Sequence, residues 1–375
     1  MKIKFYGAID KWLGTPLCVV LGGLSKLFPK QKCIIAPKKI LILKLWAIGD
    51  SVVSLPMIRS LKLSFPNAKI DVLARKRNAA VFENNGDINK IILFEPKHLI
   101  DLLALFRKYD LVIDAEPWMR LSALLSMFAG RRRIGFGKQA RSIIYTDTIA
   151  FDRTRHMVQQ YLDMARNTGA KIIIDKLVPL ETSPADKKAV DKFVRENKLK
   201  GFVVGIAPGA AESARSRMWP AERFAEVADR LVSEHGAKII FIGSPGEKEL
   251  IYGIQMQMKH ASGSINSAGL LGIKQVFELI RRCKLFIGND AGLMHVAAAQ
   301  GVKTIGLFGP NTPALWGPYG KHSIAIYKKP ECSPCILNEK GKAPDCLRKT
   351  DRYLCMRLIA AEEVMRAVKA LKKAF

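Results

Sequence analysis

The stretch Lys284-Leu-Phe-Ile-Gly-Asn-Asp-Ala-Gly-Leu-Met-His-Val-Ala-Ala-Ala-Gln-Gly-Val-Lys-Thr-Ile-Gly-Leu-Phe-Gly-Pro310 reads as a strand (KLFIG), a Gly/Asp turn, a small-residue helix over 292–300 and a second strand (KTIGLF, from Lys303). Two strands joined by a crossover helix lie parallel in one sheet. Upstream, FVVGIA (202–207) and AKIIFI (237–242) alternate with helical segments at 220–235, 245–259 and 274–282. The first half repeats the alternation: KILILKLW (39–46), a helix from Ser51 to Phe65, then KIDVLA (69–74), KIILF (90–94), DLVID (110–114) and RRRIGF (131–136). The fold class is therefore α/β, with two similar doubly wound domains. Their boundaries are placed at 38–185 and 186–355, with a leader at 1–37 and a C-terminal helix at 356–375 carrying Val364, Val368 and Leu371 at helical spacing.

The 375 residues include 61 basic and 33 acidic side chains, a formal charge of +28. Such a field favours anionic partners: nucleic acid, an acidic membrane surface or phosphorylated substrates. No helix-turn-helix, zinc-finger or RNA-binding signature accompanies the charge, so nucleic acid is not an expected partner. No Gly-x-Gly-x-x-Gly follows a predicted strand, which disfavours a dinucleotide oxidoreductase. Seven cysteines and no secretory signal point to a reducing, cytoplasmic setting.

Within the leader, Trp12–Leu24 (WLGTPLCVVLGGL) is apolar but too short to span a bilayer, and Lys2, Lys4, Lys11, Lys26, Lys30 and Lys32 surround it. It reads either as an interfacial segment on an anionic leaflet or as a helix packed on the first domain.

In doubly wound sheets ligands bind beyond the carboxyl ends of the strands. Two loops there carry a glycine and an aspartate: Lys44-Leu-Trp-Ala-Ile-Gly49-Asp50, followed by Leu55-Pro56, and Gly288-Asn-Asp290-Ala-Gly-Leu-Met-His295. Either aspartate alone reads first as a helix cap, and it is the pair of such loops in two similar domains that points to a facing pair across a cleft. A third segment, Ala207-Pro-Gly-Ala-Ala-Glu-Ser-Ala-Arg215-Ser-Arg217-Met-Trp219-Pro220, offers two guanidinium forks of the kind that match phosphate oxygens, although taken alone it reads first as a solvated surface loop.

In this order the three segments resemble glycosyltransferase family 9, the ADP-heptose:lipopolysaccharide heptosyltransferases, over about Lys38 to Lys372. The family pattern has an early Gly-Asp followed by Leu-Pro, a basic residue two before Trp-Pro, and a late Asp-x-Gly-Leu-x-His. One position departs from it: Arg217 stands where the family usually has lysine. The resemblance implies GT-B architecture, two Rossmann-like domains facing across a cleft. It also implies an inverting transfer of heptose from ADP-heptose to the inner core of lipopolysaccharide, with another nucleotide-linked sugar and envelope glycan as the alternative.

By the same resemblance, Asp50 is the general base. Arg217 neutralises the donor diphosphate, and the backbone of Ala291, Gly292 and Leu293 holds phosphate oxygens. Asp290 binds the sugar, His295 lines that pocket and Glu247 meets the ribose. Gly49, Arg75, Arg77 and Arg133 are candidates for an anionic, lipid-linked acceptor presented at the membrane surface, although a run of charge also reads as a solvated face. No cofactor or catalytic metal is expected. Cys332, Cys335, Cys346 and Cys355 could form a structural zinc site, but with no second Cys-x-x-Cys the expectation is free thiols.

Overall fold

The computed structural model describes residues 10–25, 36–95, 102–337, 340, 342 and 345–372. The chain divides into two compact units, the first ending at Lys176 and the second starting at Leu177.

The first unit contains six strands: β1 (Lys39–Leu43), β2 (Lys69–Ala74), β3 (Lys90–Leu93), β4 (Tyr109–Asp114), β5 (Gly130–Phe136) and β6 (Asp147–Ile149). They lie parallel in the order β3-β2-β1-β4-β5-β6. β1 is central, with Ile40 opposite Ile70 on one side and Leu111 on the other. Ile40, Leu41, Ile42 and Leu43 are fully buried, as expected of a strand covered on both faces.

The second unit repeats the plan with β7 (Val203–Ala207), β8 (Lys238–Phe241), β9 (Ser264–Asn266), β10 (Leu285–Asn289), β11 (Lys303–Phe308) and β12 (Ser323–Tyr327), ordered β12-β11-β10-β7-β8-β9. Counted from its own first strand, each unit has the order 3-2-1-4-5-6. Each is a doubly wound, Rossmann-like domain. The order reverses between the first and fourth strands, β1/β4 and β7/β10, and loops leaving that point diverge to leave a crevice.

Three of these strands, β6, β9 and β12, have no counterpart in the sequence reading. All are edge strands, and β6 and β9 have three residues each, too few to show a period. The division between units also falls earlier than residue 185. Val178 and Leu180 are buried. The Leu180 carbonyl accepts from Gln300 Nε2 at 3.1 Å, and Thr182 Oγ1 donates to Glu278 Oε2 at 3.1 Å, so this segment packs with the second unit. The last helix, Ala361–Lys372, buries Val364, Val368 and Leu371 in the same cluster as Phe224, Leu231 and Ile305. It completes the second unit rather than standing apart.

The leader forms a helix, Gly14–Ser25, docked on the first unit. Gly14, Cys18 and Gly22 lie four residues apart and make one stripe. A Cβ on Gly14 would come within 2.8 Å of Arg120 Cβ, and one on Gly22 within 2.4 Å of Ile143 Cγ2. Cys18 packs with Ala123, Ile144 and Tyr145. Just before the helix, the Asp10 carboxylate accepts from the N–H groups of Arg120 (3.1 Å) and Leu121 (2.8 Å), capping the helix Arg120–Ala129. The opposite face is apolar and open: Trp12, Leu13, Leu17, Val20 and Leu24 are each 47–76% exposed. Among the described residues no helix is long and apolar enough to cross a membrane. Lys2, Lys4, Lys26, Lys30 and Lys32 lie outside the described residues.

Candidate active site

In the first unit, β1 runs into Lys44-Leu45-Trp46-Ala47, and the helix Ile48–Ser64 begins there with Gly49 buried and Asp50 in its first turn. Ala47, at the cap, has φ 31°, a left-handed backbone that costs a non-glycine residue free energy and needs support from its surroundings. Support comes from below. Lys44 is fully buried, and its Nζ donates to the Ala115 carbonyl at 3.1 Å and to the Tyr161 hydroxyl at 3.2 Å. It lies 3.4 Å from Glu116 Oε1 and 4.0 Å from Asp50 Oδ1. Burial opposes the ammonium form, but Glu116, Tyr161 and Asp50 outweigh it and hold the pKa of Lys44 well above the ordinary lysine value. Lys44 is thus a permanent cation against which the Asp50 carboxylate, 20% exposed, is oriented.

Glu116 had no signal in the sequence reading, yet it organises the loop. Its Oε1 accepts from the N–H groups of Leu45 (2.6 Å) and Trp46 (2.9 Å). The Glu116 loop is in turn fixed by Asp114, which accepts from the Glu116 N–H (3.0 Å), the Ser122 hydroxyl (2.8 Å), the Tyr145 hydroxyl (2.6 Å) and Arg141 Nη1 (3.2 Å). Burial drives the pKa of Asp114 upward, while Arg141, Tyr145 and Ser122 pull against it. Asn78 was also missed. Its Nδ2 donates to the Lys44 carbonyl (2.9 Å) and to Ser51 Oγ (2.7 Å), tying the segment after β2 to the Asp50 loop.

That segment carries two of the basic candidates. Arg77 stacks on Trp46, 4.9 Å from the ring centroid, and Trp46 meets Trp118 edge-on at 5.8 Å. Arg75, Lys76, Arg77 and Glu95 line an open cleft of about 330 Å³. Burial, then repulsion from Arg75, lowers the pKa of Arg77. Arg133 does not join this group. Its guanidinium donates to the carbonyls of Ile144 (2.8 Å), Arg131 (2.8 Å) and Gly130 (3.2 Å).

In the second unit, the segment after β7 ends in a 3₁₀ turn, Glu212–Arg217, and Asp290 directly follows β10. Arg217 Nη1 reaches the Asp290 carbonyl oxygen at 3.2 Å and its Oδ2 at 3.3 Å. Asn311 Nδ2 donates to the same Oδ2 at 2.9 Å. Asn289 fixes the facing loop: its Oδ1 accepts from the Trp219 N–H (3.0 Å) and its Nδ2 donates to the Pro208 carbonyl (2.7 Å). The helix Gly292–Ala299 starts beside Asp290 at Ala291, whose side chain makes no capping hydrogen bond. Ala291, Gly292 and Leu293 are half-buried there. Uncapped N–H groups at a helix start form an anion site. His295, one turn on, is buried edge-on to Trp316.

Glu247 approaches from the other side of β7. Its Oε2 accepts from the Ser244 N–H (2.6 Å) and hydroxyl (2.8 Å), and its Oε1 lies against Gly209, where a Cβ would come within 1.6 Å. The structure therefore gathers Arg217, Asp290 and Ala291–Leu293 in one crevice, sets His295 behind them and places Glu247 beside the Gly209 loop.

Comparison with known proteins bears on this arrangement. The profile of glycosyltransferase family 9 (heptosyltransferase) matches residues 103–344. Lipooligosaccharide heptosyltransferase 2 of Haemophilus ducreyi is 29% identical over 312 residues, covering 77% of this chain and 88% of the relative. The crystal structure of a family 9 glycosyl transferase from Veillonella parvula superposes with a TM-score of 0.75 at 25% identity, over 90% of this chain and 98% of that one. The Escherichia coli ADP-heptose lipopolysaccharide heptosyltransferase II gives 0.70 at 25% identity, over 89% and 98%. A profile match over well over half of the sequence, on a fold shared along nearly its whole length, makes this chain a member of glycosyltransferase family 9, the heptosyltransferase family, and a glycosyltransferase.

Proposed function

We propose that this protein is an inverting transferase that moves a heptose from ADP-heptose to the inner core of lipopolysaccharide. The observation that carries the donor half is the state of Arg217. Its Nε is buried and has no hydrogen-bond partner among the described residues, and it lies beside the uncapped helix start. A guanidinium donor without an acceptor, next to free backbone N–H groups, calls for a multiply charged anion such as a diphosphate. Asp290 and His295 are the candidates to hold the transferred sugar, and Glu247 is the candidate for the ribose. The second domain is then the nucleotide-sugar domain.

The first domain takes the acceptor. Asp50 removes the proton of the acceptor hydroxyl as its oxygen attacks the anomeric carbon. The bond from that carbon to the diphosphate breaks, and the growing charge on ADP meets Arg217 and the Ala291–Leu293 N–H groups. Arg75 and Arg77, with the Trp46 loop and Gly49, suit the phosphates of an anionic, lipid-linked glycan. The open apolar face of the leader helix supports peripheral attachment to the cytoplasmic face of the inner membrane, where such an acceptor is presented.

The test is a panel of ADP-, UDP-, GDP- and CMP-sugars, read by thermal shift and by transfer to core-deficient lipopolysaccharide. ADP-heptose alone should stabilise the protein and be consumed, with inversion at the anomeric carbon. Turnover of a different nucleotide sugar would replace the donor assignment. A salt-sensitive DNA complex without any sugar transfer would replace the whole reading.

A further inference from the structure

Between the end of β12 at Tyr327 and the short helix Leu354–Arg357, the described residues make a single ladder contact, Leu337 with Lys342. An irregular excursion this long inside a compact domain needs something other than backbone pairing to hold it. All four of its cysteines converge. Cys332, Cys335, Cys346 and Cys355 are free thiols and line one small, partly open cavity of about 10 Å³, room for a single ion or water.

Two donors lie near the sulfurs. Tyr353 adopts φ 59°, a left-handed backbone unusual for tyrosine, and its N–H donates to Cys346 Sγ at 3.3 Å. Arg348 lines the same cavity, and its buried Nε has no hydrogen-bond partner among the described residues. Just after β11, a Cβ on Gly309 would come within 2.5 Å of Met356 Sδ and 2.8 Å of Cys355 Sγ, so a glycine lets the chain pass close to both sulfurs. No three His, Cys, Asp or Glu side chains among the described residues are already drawn into a chelating set. An occupant would therefore pull the four sulfurs inward from the cavity wall.

We propose that Cys332, Cys335, Cys346 and Cys355 are the thiolate ligands of one thiophilic divalent cation, of the zinc or ferrous class, that staples this excursion to the second unit. Four sulfur donors, two from a Cys-x-x-Cys turn and two from separate segments, suit tetrahedral coordination. Each thiol releases its proton to solvent on binding, so four protons leave and the site carries two net negative charges. The Tyr353 N–H and Arg348 face that charge.

The site is structural, and it borders the donor crevice. Ser216, next to Arg217, and Pro310, next to Asn311, line the same cavity. The Pro310 carbonyl accepts from the N–H groups of Cys335 and Ile336, each at 2.9 Å. Metal binding would thus brace the loop whose Asn311 holds Asp290. The cysteine assignment does not depend on which sugar is transferred.

The full chain, purified under reducing conditions without chelator, should contain about one equivalent of zinc or iron by elemental mass spectrometry, which separates the two. Cys332→Ser and Cys346→Ser should each lose most of it. Because either variant could misfold, the wild type is also stripped by chelation and titrated with Co²⁺. Visible bands of tetrahedral cobalt thiolate, and a thermal midpoint that falls on stripping and recovers as Zn²⁺ is added, are expected. A metal-free protein whose stripped form gives no cobalt spectrum would overturn the proposal. So would full metal content in both serine variants, or disulfides among these four cysteines in non-reducing mass spectrometry.

Discussion

The Nζ of Lys44 stands 4.0 Å from Asp50 Oδ1, with no solvent access to the lysine and some to the aspartate. The cation is inside and the carboxylate is partly exposed, so the buried charge of Lys44 orients Asp50 from within the domain.

Asp50→Asn should keep the fold and donor affinity while lowering turnover by about 10²–10⁴-fold, the usual contribution of a general base. Steady-state transfer together with ADP binding checks this. Wild-type turnover in a folded Asp50→Asn protein would remove Asp50 from the mechanism.

Lys44→Met leaves Glu116 buried without its cation. Removing one partner of such a pair typically costs about 3–5 kcal/mol, so denaturant unfolding should show a large loss of stability. The double variant Lys44→Met/Glu116→Gln should regain part of that stability yet remain poorly active, because the Asp50 loop has lost its anchor. Full activity in the double variant would show that the pair serves folding alone.

Arg217→Ala removes a contact to a leaving group whose charge grows in the transition state. The loss should appear in kcat/KM, by about 10²–10³-fold, and partly in kcat. Arg217→Lys should restore most activity, since the pocket of this family ordinarily takes a lysine. If alanine matches wild type in transfer and in ADP binding, Arg215 becomes the next phosphate candidate.

Gly209→Ala places a methyl group where Glu247 Oε1 now lies. The carboxylate must swing away and release its two contacts to Ser244. A cost of about 1 kcal/mol in stability is expected for the lost cap, with a raised donor KM. An unchanged KM would mean that Glu247 serves the Ser244 turn and not the ribose.

Truncating the leader would also uncover Ala123 and Ile144 and remove the Asp10 cap, so it confounds docking with membrane binding. The triple change Leu17→Ser, Val20→Ser and Leu24→Ser alters only exposed positions. It should abolish flotation with anionic vesicles while leaving thermal stability and donor binding intact. Unchanged flotation would assign the leader to the fold alone.

The central strands were legible because burial on both faces leaves an uninterrupted apolar run, as in Ile40–Leu43. Asp50, Arg217 and Asp290 could be named as candidates because each lies in a short segment with its own signature. Glu116, Asn78 and Asn311 could not, because each acts on a partner far away in sequence, and only the parallel pairing of β1 with β2 and β4, or of β10 with β11, brings them together. The arginine run 131–133 divides for a related reason. Successive strand residues face opposite ways, so Arg131 is exposed while Arg132 is buried and donates to the Asn167 carbonyl at 2.7 Å. A cluster in sequence is dispersed in space.

The shared 3-2-1-4-5-6 order has one further consequence. In each unit a cation from the segment after the first strand meets a carboxylate from the segment after the fourth: Lys44 with Glu116 at 3.4 Å, and Arg217 with Asp290 at 3.3 Å. The first pair has both side chains at 1% exposure or less and acts as a rivet. In the second, Arg217 is 20% exposed, and the pair acts as a latch. If the crevice takes the proposed donor diphosphate, the arriving anion would draw Arg217 from Asp290 and leave that carboxylate to Asn311 and the sugar hydroxyls. One wiring diagram would thus yield a fixed joint in one domain and, in the other, an exchange of partners in which loading the crevice and arming it are the same event.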